Sequence, residues 1–138
     1  MPVFWSRPRQ EPVKFIYMTG TPARASDIRR VTGATFEMQA VAPSIDAALG
    51  AAARSGARVL LTDAELPGCS WRDVVAASRS HVPALSVVVI LDSFEGSQWV
   101  EIIRSSAYDV VLRPLRSEPL RQILLGANQS AGARKTLL

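Results

Sequence analysis

The sequence has few of the features that mark several large classes of protein. Its single cysteine, Cys69, excludes an internal disulfide framework and suits a reducing compartment. The longest unbroken apolar run, residues 87–91, is far shorter than the roughly 20 residues that span a bilayer. Residues 18–22 contain one glycine and no lysine, which argues against a glycine-rich phosphate loop there. We therefore expect a cytoplasmic protein that is neither membrane-bound nor of the P-loop class.

The body of the chain has no net positive charge. The formal net charge is +4, but residues 1–14 contribute +2 and residues 119–138 contribute +3, which leaves −1 for residues 15–118. A DNA-binding surface needs lysine and arginine clustered on one element, together with side chains that read the bases. The charge distribution therefore predicts no nucleic-acid binding by this domain.

Apolar residues recur in five alternating strand and helix patterns. Strands are predicted at residues 14–18, 36–41, 58–62, 86–91 and 110–112. Helices are predicted after them, at about residues 23–32, 43–55, 71–78, 99–103 and 117–127. Thr21 and Ser117 are expected to cap the first and the last of these helices.

This alternation predicts an α/β fold: a doubly wound, five-stranded parallel sheet in a flavodoxin-like (βα)5 three-layer sandwich. We assign residues 13–128 to this domain, residues 1–12 to an N-terminal extension and residues 129–138 to a flexible C-terminal tail. Chemistry in such folds gathers at the carboxyl ends of the strands. The candidate site residues therefore follow the strands: Thr19, Gly20, Asp63, Leu91, Asp92, Ser93, Arg113 and Pro114.

The chain resembles the receiver domain of bacterial two-component response regulators over about residues 14–128. An aspartate, Asp63, ends the third strand, and Pro67 and Gly68 follow four and five residues later. Arg113 and Pro114 stand where the family has Lys-Pro, and residues 106–114 are similar to the family's Gly-Ala-x-Asp-Tyr-Leu-x-Lys-Pro run. The resemblance implies the strand order 2-1-3-4-5.

The same resemblance implies roles and partners. Asp63 corresponds to the phosphoacceptor, and Arg113 to the cation that stabilises the phosphoryl group. A histidine kinase or other signalling protein is the implied partner, and a homodimer can form through the face of helix 4, strand 5 and helix 5. The remaining residues of the active-site loops are Glu65, Pro67, Leu91, Asp92, Ser93 and Pro114.

The chain departs from the family at the metal site. Receiver domains carry two acidic residues at the end of the first strand, where this chain has Thr19 and Gly20. Mg²⁺ takes oxygen ligands, usually including one or two carboxylates, so Asp63 with water and the Glu65 carbonyl makes a poor site. We expect no resident cofactor and only weak Mg²⁺ binding.

The residues that relay the phosphoryl signal in the family are altered as well. Asp92 matches the position of the family's Ser or Thr, and a shift of the alignment by one residue in either direction places Leu91 or Ser93 there. Only Ser93 would keep the hydroxyl. Val110 stands at the position of the family's aromatic switch residue.

Two functions remain open from the sequence. The first is a phospho-accepting receiver domain of the two-component phosphorelay, with an impaired switch. The second is a pseudo-receiver, which acts as a protein-interaction or dimerisation module without phosphorylation. An enzyme of flavodoxin-like fold is less favoured, because no convergent set of catalytic side chains is visible.

Overall fold

The computed structural model describes residues 11–137, with side chains described as far as residue 132. The predicted N-terminal extension lies outside the described residues except for residues 11 and 12, as does the last residue of the predicted tail. The strands of the main sheet are β1 (Val13–Met18), β2 (Phe36–Ala42), β3 (Val59–Asp63), β4 (Ser86–Leu91) and β5 (Asp109–Leu112).

All neighbouring strands of this sheet are parallel, and their order is β2-β1-β3-β4-β5. β3 and β4 are buried along their whole length. Burial of both faces explains why their sequences are almost continuously apolar rather than alternating. The predicted fold class and strand order are confirmed. A small antiparallel hairpin, Glu65–Leu66 with Cys69–Ser70, stands apart from the sheet.

Helices cover both faces of the sheet. They are α1 (Ala25–Thr32), α2 (Ile45–Ser55), α3 (Trp71–His81), α4 (Gly96–Arg104) and α5 (Ser117–Leu137). α1 and α5 bury their apolar residues against one face of the sheet, and α2, α3 and α4 against the other. Within the described residues, no helix is both long and apolar enough to cross a membrane.

Local chemistry explains both ends of α2. The Ser44 side chain accepts a hydrogen bond from the Ala47 amide at the start of α2, and Gly56 ends that helix in the left-handed conformation. The prediction that Thr21 caps the first helix is wrong. Thr21 makes no side-chain cap, and a 3₁₀ turn, Pro22–Arg24, precedes α1.

The last helix is longer than predicted. Residues 129–137 continue α5 rather than forming a separate tail after residue 128. Ala127 and Ala131 are both fully buried, so the apolar face of the helix extends one turn past the predicted boundary. Because these alanines are four residues apart, they lie on the same side of the helix.

Candidate functional site

The candidate site lies at the carboxyl edge of the sheet, where β1, β3, β4 and β5 end side by side. Strand register aligns Met18 with Thr62 and Asp63 with Ile90, so the residues that follow β1, β3 and β4 come together. β4 separates β3 from β5, and Arg113 directly follows β5. The site is therefore assembled by strands that are distant in sequence.

The Asp63 carboxylate is buried and accepts four hydrogen bonds, its side chain being 6% exposed. Oδ1 accepts from the Tyr17 hydroxyl at 2.6 Å and from Arg113 Nη2 at 3.2 Å. Oδ2 accepts from Thr19 Oγ1 at 2.6 Å and from Arg24 Nη1 at 3.4 Å. An ionised carboxylate offers about four acceptor positions, so these donors use its whole capacity.

Asp92 joins the two arginines on the solvent side of the site. Its Oδ1 lies 3.2 Å from Arg24 Nη1 and 3.0 Å from Arg113 Nε. Asp63, Arg113, Asp92 and Arg24 therefore form a closed ring of alternating charge, which we call the ion-pair ring. Its formal charge is zero. Asp63 is its buried member and Asp92, whose side chain is 58% exposed, its hydrated one.

Arg113 forms an ion pair with Asp63, with Nη2 lying 3.2 Å from Oδ1. Its side chain is 17% exposed, and Nη2 also donates to the Tyr17 hydroxyl at 3.1 Å. The planar guanidinium contacts Asp63 and Asp92 through different nitrogens. A lysine ammonium would lack this fixed fork of donors.

Tyr17 is a neutral donor at the centre of this network. Burial, followed by the hydrogen bond to Asp63 and the negative charge of that residue, raises the pKa of the Tyr17 phenol to about 12. Each of these effects disfavours the phenolate in the folded state. Tyr17 therefore remains a hydrogen-bond donor to Asp63 at any physiological pH.

Because the pKa of Tyr17 is raised in the folded state, we expect the free energy of unfolding to fall as the pH rises in the alkaline range. The folded pKa lies above the unfolded value of about 10, so the unfolded state loses this proton first. The stabilisation is complete below about pH 10 and is lost as the pH rises towards 12. Chemical denaturation from pH 8 to 12 measures this, with Tyr17→Phe as the control. A fall of equal steepness in both proteins would contradict the assignment.

The residues around Asp63 do not fit the Mg²⁺ site of the family. The Thr19 hydroxyl is committed to Asp63, and two guanidinium groups stand where cations would be attracted. Within the described part of the chain, no three His, Cys, Asp or Glu side chains are grouped as metal ligands. The chemistry of this donor set favours arginine, not a divalent cation, as the counter-charge of Asp63.

Gly20, at the position of the family's second acidic residue, packs against the hairpin of residues 65–70. A Cβ at Gly20 would overlap the ring of Pro67 at the tip of the hairpin, lying 2.7 Å from its Cγ. The packing between the end of β1 and the hairpin therefore leaves no room for an acidic side chain at this position. Glu65, which begins the hairpin, is exposed.

Leu91, Asp92 and Ser93, the three candidates for the family's hydroxyl position, lie at and directly after the end of β4. Leu91 is buried in the core, Asp92 is part of the ion-pair ring, and Ser93 is exposed. Among the hydrogen bonds of residues 11–137, none joins Ser93 to Asp63. Leu91, Asp92, Ser93 and Glu65 line a small cavity of about 100 Å³ beside the ring.

Val110 lies in β5, and Tyr108 and Pro114 lie before and after that strand. Val110 is buried, and Pro114 follows Arg113 through a cis peptide bond. Tyr108 is 38% exposed, and its hydroxyl lies against Gly126 of α5, where a Cβ would overlap it. Its ring is thus held at the α5 side of β5, apart from Asp63.

Sequence reasoning missed two members of the site, Tyr17 and Arg24. The signal for Tyr17 was its position two residues before Thr19, on the same face of β1. Arg24 carried no comparable signal, because a basic residue beside a helix start is ordinarily solvated. Only the 3₁₀ turn that precedes α1 directs its guanidinium to both Asp63 and Asp92.

No protein-family model and no curated protein matches this sequence. Solved structures are similar to it. A receiver domain from Clostridium thermocellum is 16% identical, with a TM-score of 0.72 and coverage of 91% of this chain and 99% of the other. The receiver domain of AraT from Geobacillus stearothermophilus is 22% identical, with a TM-score of 0.72 and coverage of 88% and 97%.

A third similar structure is the signal receiver domain of an HD domain-containing protein from Pseudomonas fluorescens Pf-5. It is 12% identical, with a TM-score of 0.75, and the match covers 90% of this chain and 99% of the other. The three likenesses span nearly the whole domain in each case. The chain therefore has the fold of response regulator receiver domains.

Proposed function

We propose that this protein is a cytoplasmic signalling module of the receiver fold that acts through protein contacts, without phosphoryl transfer. One observation carries the proposal: both oxygens of Asp63, the residue at the phosphoacceptor position, are fully occupied by donors from Tyr17, Thr19, Arg24 and Arg113. The phospho-accepting receiver is the competing function, and it is favoured by the position of Asp63 at the end of β3 beside a cation.

Phosphoryl transfer to Asp63 needs a free carboxylate oxygen as the nucleophile. Attack by Oδ1 would require loss of the Tyr17 bond, and attack by Oδ2 loss of the Thr19 bond. An incoming phosphoryl group would also meet the carboxylate of Asp92, which repels a second anion. The groups that contact Asp63, two hydroxyls and two guanidinium groups, do not suit a Mg²⁺ ion that could offset these costs.

A phosphoryl group would also lack the contacts that convert its charge into a conformational change. A ligand shifts an equilibrium only when it contacts the two states differently. Ser93 is exposed, Val110 is a buried aliphatic residue, and the Tyr108 hydroxyl is packed against Gly126. The ion-pair ring therefore serves in our proposal as a fixed structural link between the ends of β3, β4 and β5 and the 3₁₀ turn before α1.

The proposal predicts that Mg²⁺ and beryllofluoride, a phosphoryl mimic, leave the domain unchanged. Isothermal calorimetry should show no Mg²⁺ saturation below about 1 mM, the weak end of protein cation sites. Backbone amide spectra should not move when beryllofluoride is added with Mg²⁺. Asp63→Asn, which cannot accept a phosphoryl group, is the matched control and should behave like the parent protein. Amide shifts that spread from Asp63 into residues 97–125 would return the protein to the phospho-accepting class.

A further inference from the structure

A groove of about 860 Å³ runs between α3 and α4, on the opposite side of the sheet from α1 and α5. Each helix lines it with residues at i, i+3, i+4 and i+7, which share one helix face. These are Arg72, Val75, Ala76 and Arg79 from α3, and Ser97, Val100, Glu101 and Arg104 from α4. No residue of the ion-pair ring lines this groove, so it is a separate surface.

The groove has an apolar floor. Trp71 and Val75 are buried in the core and also line the groove, and Val100 is 45% exposed. An exposed valine between two helices offers apolar area that a partner can remove from water. The groove is therefore suited to apolar side chains and not only to a small ion.

The charges of the groove are unevenly satisfied. Arg72 lies with its guanidinium carbon 4.9 Å from the centre of the Trp71 ring and makes a two-point ion pair with Glu101, Nε to Oε2 being 2.6 Å. Glu101 carries the one carboxylate among the described residues that line the groove, and Arg72 occupies it. Arg79 and Arg104 take part in no salt bridge within residues 11–132, and both are exposed.

We propose that the α3–α4 groove docks an acidic amphipathic helix of a partner protein. Its apolar side chains would lie on Val75 and Val100, and its carboxylates would pair with Arg79 and Arg104. Arginine binds carboxylates through two parallel hydrogen bonds, so the two unpaired guanidinium groups define both the charge and the register of the ligand. Helix-in-groove recognition with apolar anchors at i, i+3 or i+4 matches this arrangement.

A protein ligand fits this groove better than a nucleic acid does. A phosphate backbone would gain nothing from the apolar surface of Val75 and Val100, which the side chains of a helix would cover. An acidic amphipathic helix can cover the apolar floor with its apolar side chains and pair its carboxylates with Arg79 and Arg104. The proposal does not depend on whether Asp63 accepts a phosphoryl group, so it and the proposed function can fail separately.

The test uses a synthetic helical peptide of about four turns, with leucines at i, i+4 and i+7 and glutamates beside them. We expect saturable binding, with amide shifts in residues 71–79 and 97–106 and a shift of the Trp71 indole N–H signal. Arg79→Glu with Arg104→Glu should weaken binding at least tenfold. Arg29→Glu reverses the charge of an exposed arginine on α1, outside the groove; it controls for a charge reversal elsewhere on the surface and should leave affinity unchanged.

Several outcomes would overturn the proposal. They are affinity retained in the Arg79→Glu/Arg104→Glu variant, equal loss in the Arg29→Glu control, or shifts located elsewhere on the domain. A lysine-for-glutamate peptide that binds equally well would show that charge plays no part. Tighter binding of a DNA duplex than of the peptide at these residues would assign the groove to nucleic acid. Concentration-dependent self-association through it would assign it to a second copy.

Discussion

Removing both arginines of the ion-pair ring, with Arg24→Gln and Arg113→Gln, should lower the free energy of unfolding by about 3 kcal/mol. Asp63 would then be a buried charge without a cationic partner, which typically costs about 3–5 kcal/mol. We expect the lower end of that range because the hydroxyls of Tyr17 and Thr19 would still donate to the carboxylate. Urea denaturation at neutral pH measures the change.

A rescue experiment separates this explanation from general damage. Adding Asp63→Asn to the double variant removes the unpaired charge, so most of the lost stability should return. Arg29→Gln with Arg104→Gln removes two exposed arginines outside the ring and should change stability by less than about 0.5 kcal/mol per site. A double-mutant cycle between residues 63 and 113 that gives no coupling energy would refute the pair.

The single variants should not be equivalent. Arg113 is 17% exposed and contacts Asp63, Asp92 and the Tyr17 hydroxyl, while Arg24 is 36% exposed. Exposed charges are screened by water and salt, so their pairs contribute little to stability. Arg113→Gln should therefore lower the stability more than Arg24→Gln does. Equal losses would mean that burial does not set the strength of these pairs.

The second large effect is expected at Gly20. Introducing an acidic residue with Gly20→Asp should lower the free energy of unfolding by about 1–3 kcal/mol, the usual cost of forcing atoms into filled space. The new Cβ would overlap the Pro67 ring, which is stiff and cannot rotate away. Thr19→Asp with Gly20→Asp should accordingly fail to create a Mg²⁺ site in the folded domain.

Two further variants test the cause of that loss. Gly20→Asp combined with Pro67→Ala removes the overlapping ring atoms and should regain much of the stability. Thr21→Asp adds the same charge one residue away at an exposed position, and it should be nearly neutral. If Gly20→Asp and Thr21→Asp lower the stability equally, the loss comes from charge and not from contact with Pro67.

The ion-pair ring and the Gly20–Pro67 contact point to the same property of the site. At the acidic positions of the family, this chain has a hydroxyl that donates to Asp63 and a glycine that packs under the hairpin. The counter-charge comes from two arginines on different elements. Such a site holds its carboxylate in one arrangement, which suits a constant docking surface better than a phosphorylation switch.

Much of the fold could be predicted from the sequence. The unbroken apolar run at residues 87–91 indicates a strand covered on both faces, and β4, Ser86–Leu91, has the predicted bounds. Ser44 and Gly56 mark the ends of α2 because capping is decided within a few residues. The Asp63–Arg113 pair followed from the strand order, since that order places both residues at one edge of the sheet.

The sequence by itself thus determined the features that depend on neighbouring residues or on strand order. These are the alternation of strands and helices, the strands covered on both faces, and the contact between Asp63 and Arg113. Only the tertiary structure decided that Tyr17 and Arg24 join them, that Gly20 packs on Pro67, and that α5 continues to Leu137. The reason is physical. These contacts depend on the register between strands and on how each helix or loop lies against the sheet, and no local pattern of residues encodes those distances.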